Sequence, residues 1–333
     1  MNTIGILTSG GDAPGMNAAI HSVVMAATTN EIACIGFERG FNGVLDNDYR
    51  QLNEYSVKHI SHLGGTILRS ARCKRLYKAE YQKVAANNLK MLALDGLVVI
   101  GGDGSFTGAL EISKICNVPV VGIPATIDND VDGCDSTLGF QTAVQTATEA
   151  IDKIRDTADA LERIFIVEVM GRNTGFIALH TGIASEAEQI IYPEMALSAN
   201  DAVIQITKNV KEYLKHLGHT SYIIVMAENS INNMDAASLS SELAANLDIE
   251  CRAIILGHLQ RGGKPINQDR ILASKLGYFT IKSLVEGSVN CMVGIKDNEL
   301  SLLPLEKAIA HHKPLDRTLE HIAKSHAYQS IEF

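Results

Sequence analysis

A chain of 333 residues with 46% apolar and 20% charged residues can bury two sizeable cores and is too apolar to be disordered. Its formal net charge of −9 argues against general attraction to nucleic acid or anionic lipid, so an anionic ligand must be met by local cationic pockets. Six cysteines (Cys34, Cys73, Cys116, Cys134, Cys251, Cys291) lie at irregular spacings without a CxxC pair, as expected of reduced thiols in a cytoplasmic protein.

The chain opens on a strand-like run over 3–8. It shows no basic n-region, cleavage motif or membrane-length apolar run, so neither a signal peptide nor a membrane span is expected. Ser9-Gly10-Gly11-Asp12-Ala13-Pro14-Gly15-Met16-Asn17 closes this strand and opens a helix pattern over 16–29. Its glycines let backbone approach a ligand, and a helix N-terminus favours an anion. The run is neither a Walker A loop nor GxGxxG, and a tight structural turn reads it equally well.

A strand candidate follows at 32–37, then another at 97–101 that ends in Gly101-Gly102-Asp103-Gly104-Ser105. These glycines expose N–H groups, and Ser105 can cap the helix expected over 105–115. Asp103 is a hard oxygen ligand suited to Mg2+ bridging phosphates, or else a turn residue. The pattern by itself says kinase-like. The strand expected over 118–123 leads into Gly122-Ile123-Pro124-Ala125-Thr126-Ile127-Asp128-Asn129-Asp130. Of its two carboxylates, one can accept a hydroxyl proton while the other contacts metal. The same Asp-Asn-Asp run also serves as plain turn chemistry.

Beyond it, strands are expected over 163–169, 221–227, 252–257 and 291–295. Helices are expected over 139–158, 174–184, 199–216, 237–247, 267–286 and 304–311, and 313–333 reads as polar and helical in part. Such alternation predicts parallel sheets covered on both faces, with ligands at the carboxyl edge of the strands. Arg72, Arg163, Arg172, Arg252 and Arg261 stand beside glycine or at strand ends, which suits bidentate phosphate binding. His216 and His219 read as surface residues.

SGGDAPGMNAA, GGT followed by SAR, VVIGGDGS, TIDND, AIDKIRDTA, VEVMGR, LGHLQRGG and DRILASKLG occur in this order. On these motifs the chain resembles the bacterial-type ATP-dependent 6-phosphofructokinase family over essentially its whole length. The resemblance implies two Rossmann-like three-layer α/β domains with mainly parallel sheets and an active-site cleft between them. An ATP/Mg-binding domain would span 1–138 plus 251–302, and a sugar-phosphate-binding domain 139–250 plus 303–333. The implied reaction moves the γ-phosphoryl group of MgATP to the C1 hydroxyl of fructose 6-phosphate, the committed step of glycolysis.

By the same resemblance Asp128 is the general base, Thr126 contacts the transferring phosphoryl group and Arg172 stabilises its charge. Asp103 and Asp130 hold Mg2+. Gly11, Arg72, Cys73, Gly102, Gly104 and Ser105 line the ATP site. Met170, Gly171, Glu228 and His258 hold the sugar, and Arg261 faces its 6-phosphate. Arg163 and Arg252 reach that phosphate from a neighbouring subunit, which implies a homotetramer with shared active sites. No nucleic-acid or membrane partner is implied.

Pyrophosphate-dependent relatives usually carry Asp at position 104 and Lys at 125; Gly104 and Ala125 favour ATP, although Gly is usual at 125 in the ATP enzymes. Arg69 also replaces the residue usual before SAR. Three arginines usual in an effector pocket for ADP or phosphoenolpyruvate fall on His21, Met25 and Glu54. Glu186 stands where Gly is common, Arg155 and Glu188 are retained, and the family's usual Lys-Lys-His run falls near Gly218-His219-Thr220. Weak or absent effector control is therefore expected, since each lost charge-assisted hydrogen bond removes roughly 1.5–3 kcal/mol. A pyrophosphate-dependent enzyme and a non-catalytic regulatory paralogue are the alternatives.

Overall fold

The computed structural model describes residues 1–217 and 221–326. In chain order these form β1 (Thr3–Thr8), α1 (Met16–Thr29), β2 (Ala33–Phe37), α2 (Phe41–Asp46), β3 (Tyr49–Leu52), α3 (Ala79–Met91), β4 (Gly96–Gly101), α4 (Asp103–Cys116) and β5 (Val120–Pro124). Then come α5 (Phe140–Leu161), β6 (Ile164–Val169), α6 (Phe176–Ala184), β7 (Gln189–Ile191), α7 (Ala199–Leu217), β8 (Tyr222–Ala227) and α8 (Ala236–Leu247). β9 (Cys251–Ile255), α9 (Asn267–Val285), β10 (Cys291–Lys296), β11 (Glu299–Pro304), α10 (Leu305–Ala308) and α11 (Arg317–His326) complete the described chain. The expected alternation of strand and helix is present.

Two compact units emerge. The first comprises 1–142 and 261–313, the second 143–260 and 314–333. The sequence reading placed these divisions at 138/139, 250/251 and 302/303. The difference has a backbone cause at the second division. β9 pairs in parallel with β6, Phe165 opposite Arg252, so it belongs to the sheet of the second unit.

The first unit is built on a seven-stranded sheet in the order β11-β10-β5-β4-β1-β2-β3. Its core strands are parallel, and the two outermost pairs, β10–β11 and β2–β3, are antiparallel. β4 and β5 are buried throughout because helices cover both faces, which is why they read as continuous apolar runs. On one face Leu7, Leu97 and Val99 pack with Phe41, Ala85, Leu89, Phe106 and Leu110 from α2, α3 and α4. On the other, α1 packs along α9, and Leu284 of α9 closes over Gly96. The second unit holds a four-stranded parallel sheet, β7-β8-β6-β9. Ile164, Ile166, Ile224 and Met226 meet Ile206, Val210, Leu239 and Leu243 of α7 and α8.

β3, β7, β11, α2 and α3 were not anticipated. β3 and β11 are edge strands: β3 buries only Leu52, and the three leucines of β11 stay exposed or half-buried, so neither is the buried apolar run on which a strand is read. α3 buries only Ala85, Ala86, Asn88 and Leu89. All six cysteines are free. No helix among the described residues is long and apolar enough to cross a membrane.

Candidate active site

In the first unit, the carboxyl ends of three neighbouring strands present the three loops singled out by sequence. β1 lies beside β4, with Thr8 opposite Ile100, and β4 beside β5, with Gly101 opposite Pro124. The loops are stitched at their roots. Ser9 N–H donates to the Ile100 carbonyl at 3.0 Å, and Ala125 N–H to the Gly101 carbonyl at 3.0 Å. A Cβ on Gly101 would lie 2.6 Å from the Ser9 carbonyl oxygen, so a larger residue there would force the first two loops apart.

In the Gly101–Ser105 loop, α4 begins at Asp103, and Asp103 Oδ1 accepts the Gly104 N–H at 2.7 Å. The expectation that Ser105 caps this helix is corrected. Gly102 occupies the cap position without a side-chain bond, and Ser105 is buried inside the first turn against Gly101. Gly104 is exposed, and a Cβ on it would meet nothing within 4 Å.

In the next loop, Asp128 and Asp130 are only 5% and 6% exposed. Their setting is made by neighbours the sequence reading passed over. Asn129 adopts a left-handed conformation (φ 54°), and its Oδ1 accepts the Thr137 N–H at 3.0 Å. The Thr137 hydroxyl donates to the Thr126 carbonyl at 2.6 Å. Thr126 Oγ1 accepts the Asp128 N–H at 3.2 Å and lies 3.4 Å from Asp128 Oδ2. Asn129 therefore serves turn geometry, while the aspartates on either side are held in place. Lys313 N–H donates to the Asp130 carbonyl. A Cβ on Gly102 would come within 3.7 Å of Thr126 Cβ, which puts the two loops in near contact.

The loop after β1 is clamped from outside. Asn17, 1% exposed, donates to the carbonyls of Leu63 (3.1 Å) and Gly65 (2.8 Å) and accepts the Ile67 N–H (2.8 Å). Ser70 Oγ donates to the Gly10 carbonyl at 2.7 Å, and Thr8 Oγ1 to the Arg69 carbonyl at 2.9 Å. These bonds bring the segment carrying exposed Arg72 and half-buried Cys73 beside the first loop. Arg261 lies on Gly11, where a Cβ would stand 2.6 Å from Nη1, and donates to the Asp12 carbonyl at 3.3 Å. Burial pushes the Asp12 carboxyl up, while the Thr66 and Ala13 N–H groups and Arg261 pull it down.

In the second unit, Met170, Gly171 and Arg172 follow β6, Glu228 follows β8, and His258 lies in the 3₁₀ turn Gly257–Arg261 after β9. Glu228 Oε1 accepts the N–H groups of Gly171 (3.2 Å) and Arg172 (2.7 Å). Gln260 Oε1 accepts that of Met170 (3.3 Å), and Asn229 donates to the Arg172 carbonyl (2.9 Å). A Cβ on Gly171 would stand 2.5 Å from the Thr174 carbonyl oxygen, so only glycine fits this turn. Beneath it, Glu168 accepts the Ala236 N–H at 3.2 Å; burial, reinforced by Asp235 and Glu228, raises its carboxyl.

Arg163 and Arg252 do not join this group. They stand at the opposite, amino-terminal end of β6 and β9, where Glu250 binds both: Arg163 Nε at 2.6 Å, and Arg252 through Nη2. At about 3.3 Å per residue, the length of β6 puts them roughly 20 Å from Met170.

The positions that the resemblance compares with an effector pocket divide between the units. His21 Nδ1 lies 2.9 Å from the Val57 carbonyl, and Met25 and Glu54 are exposed. In the second unit Arg155 binds Glu188 (2.6 Å) and the carbonyls of Ser185 (3.2 Å) and Glu186 (2.9 Å). His216 is exposed, as expected, while His219 and the 218–220 run lie outside the described residues.

Residues 3–284 match the family model described as phosphofructokinase. The chain is 44% identical over 323 residues to the ATP-dependent 6-phosphofructokinase 2 of Bacteroides thetaiotaomicron, covering 96% of this chain and 97% of that one. It is also 44% identical over 319 residues to the ATP-dependent 6-phosphofructokinase 1 of Thermus thermophilus, covering 96% and 97%. Among solved structures, Pichia pastoris phosphofructokinase in the T-state matches with a TM-score of 0.88 at 30% identity, over 98% of this chain and 37% of that longer one.

Proposed function

Because the chain belongs to the phosphofructokinase family, we infer that it transfers the γ-phosphoryl group of ATP to the C1 hydroxyl of fructose 6-phosphate, giving fructose 1,6-bisphosphate and ADP. One observation carries this reading. The Gly101–Ser105 loop and the Thr126–Asp130 loop leave adjacent parallel strands and nearly touch at Gly102 and Thr126. A phosphate cradle and a pair of buried carboxylates thus share one sheet edge, where open α/β sheets bind ligands.

Asp128 takes the proton of the C1 hydroxyl as that oxygen bonds to the γ-phosphorus. The bond from phosphorus to the bridging oxygen breaks, and ADP leaves. Thr126, which also orders the Asp128 backbone, holds the moving group together with Arg172. Gly11, Arg72, Cys73, Gly102, Gly104 and Ser105 bind the nucleotide, and a Cβ on Gly104 would meet nothing within 4 Å among the described residues. Met170, Gly171, Glu228, His258 and Arg261 bind the sugar phosphate. Asp103 and Asp130 suit Mg2+. Among the described residues no group of three or more His, Cys, Asp or Glu could cage a metal, so substrate phosphates would complete its shell. When bound, Mg2+ neutralises charge on the phosphate oxygens.

The enzyme works in the cytoplasm as a homotetramer, with Arg163 and Arg252 serving a neighbour's site. Their distance from Met170 along β6 supports this, since one chain's arginines are far from its own sugar residues. Control by ADP or phosphoenolpyruvate is weak or lost. His21, Met25 and Glu54 offer no fixed cationic trio, and the Arg155 guanidinium is committed to Glu188 and two carbonyls.

A coupled assay tests these statements. Fructose 6-phosphate is titrated with ATP or pyrophosphate, with and without millimolar ADP or phosphoenolpyruvate. Turnover with ATP and a sugar-phosphate KM indifferent to effector are expected. Turnover with pyrophosphate alone overturns the donor assignment, and a several-fold shift in KM overturns the effector statement.

A further inference from the structure

Asp269 is a carboxylate with no solvent exposure, far from any role in phosphoryl transfer so far described. It is the third residue of α9, and its bonds go to another helix. Oδ1 accepts the Gly139 N–H at 3.0 Å; Oδ2 accepts the Thr142 N–H at 2.8 Å and the Thr142 hydroxyl at 2.5 Å. α5 begins at Phe140, so the residue in its cap position is Gly139, which has no side chain to receive the first free N–H groups. Asp269 supplies that acceptor from 130 residues away. The exchange is mutual. Thr142, third residue of α5, accepts through Oγ1 the N–H of Ile266, the cap residue of α9, at 3.1 Å. Each helix thus supplies from its third position the side-chain acceptor that the other lacks. This is a capping box drawn crosswise between two helices, with the α5 dipole favouring the buried charge. Burial raises the Asp269 carboxyl, and its three bonds lower it.

The crossed pair sits at the stem of the loop that carries Asp128. Immediately before Gly139, Leu138 N–H donates to the Pro124 carbonyl at 2.9 Å, and Thr137 bonds to Thr126 and Asn129. α9, for its part, follows the segment that holds Arg261 against Gly11. We propose that Asp269 and Thr142 are positioning residues for phosphoryl transfer, a mutual cap that sets the Asp128 loop against the Arg261 segment. This rests on the reading of Asp128 as the base.

The test compares the full chain with Asp269→Asn, Thr142→Val, Thr142→Ser and the double variant Asp269→Asn/Thr142→Val. Kinetics are measured together with hydrogen exchange of the amides in 126–138 and 101–105. Asp269→Asn and Thr142→Val should each lower kcat by about tenfold to a hundredfold while the KM for ATP stays within about twofold. Exchange should rise over 126–138 and not over 101–105. The double variant should be little worse than the worse single one, because the pair acts as a unit. Thr142→Ser, which keeps hydroxyl and N–H, should behave as the parent. Should Asp269→Asn fail to fold, the Val and Ser variants still decide. Unchanged kcat and exchange in Thr142→Val, or an equal loss in Thr142→Ser, overturn the proposal. A parent chain without ATP-dependent turnover instead sinks the functional reading, and the exchange pattern still decides the positioning.

Discussion

Asp128 and Asp130 are almost withdrawn from water, an unfavourable place for carboxylates that only turn a chain. A turn needs Asn129, with its left-handed backbone and its bond to Thr137, and needs nothing buried on either side. This burial supports the functional reading of the two aspartates over plain turn chemistry. Asp128→Ala should lower kcat by at least about a hundredfold, as loss of a general base does, with modest change in the KM for ATP. Steady-state kinetics against both substrates check it, and near-normal turnover refutes the role. Gly104 is the residue-scale test of the donor. Its α-carbon lies in the first turn of α4, where an acidic residue suits the helix dipole and a Cβ meets nothing. Gly104→Asp should therefore fold with an unchanged melting temperature, yet raise the KM for ATP by about tenfold or more through charge repulsion. An unaltered KM would show that the space before Gly104 is not where phosphate binds.

At the scale of elements, most strands and helices of both sheets were legible because parallel strands buried on both faces are unbroken apolar runs. The strands missed by this pattern lie at sheet edges or are very short. β3 and β11 face solvent at sheet edges, and β7 has three residues, too few for periodicity. The cap of α4 was misread because a serine near a helix start is a sound rule that this helix does not use. α6 shows a rule kept against its residue. Its end is a Schellman turn, with Ala187 N–H on the Gly182 carbonyl (2.9 Å) and Glu186 N–H on that of Ile183 (3.2 Å). The left-handed position falls on Glu186, φ 52°, where glycine is unstrained. Glu186→Gly should raise stability by about 0.5–1 kcal/mol, since relief of the left-handed strain exceeds the entropy glycine adds to the unfolded chain. A urea midpoint shifted upward supports this, and a downward shift shows that the Glu186 side chain contributes more than its backbone strain costs.

At the scale of the molecule, the position of Arg163 and Arg252 at the amino ends of β6 and β9 separates them from Met170, Gly171 and Glu228. If they serve a neighbour, two inactive chains can repair each other. Co-expression of Asp128→Ala chains with Arg163→Ala/Arg252→Ala chains should restore about a quarter of parental activity, because a random pair supplies an intact base and intact arginines one time in four. Activity no greater than the sum of the separate variants would place both arginines in their own chain's site. The strand–helix alternation and the identity of the polar residues at strand ends were readable from the sequence, because burial and backbone freedom are written in residue type and spacing. Which loops meet was set by folding alone. Folding set Gly102 beside Thr126 through the pairing of β4 and β5, moved β9 into the second sheet, and brought Asp269 to the head of α5. Hydrogen bonds between residues more than a hundred positions apart leave no local pattern, since their partners become neighbours only when the chain folds.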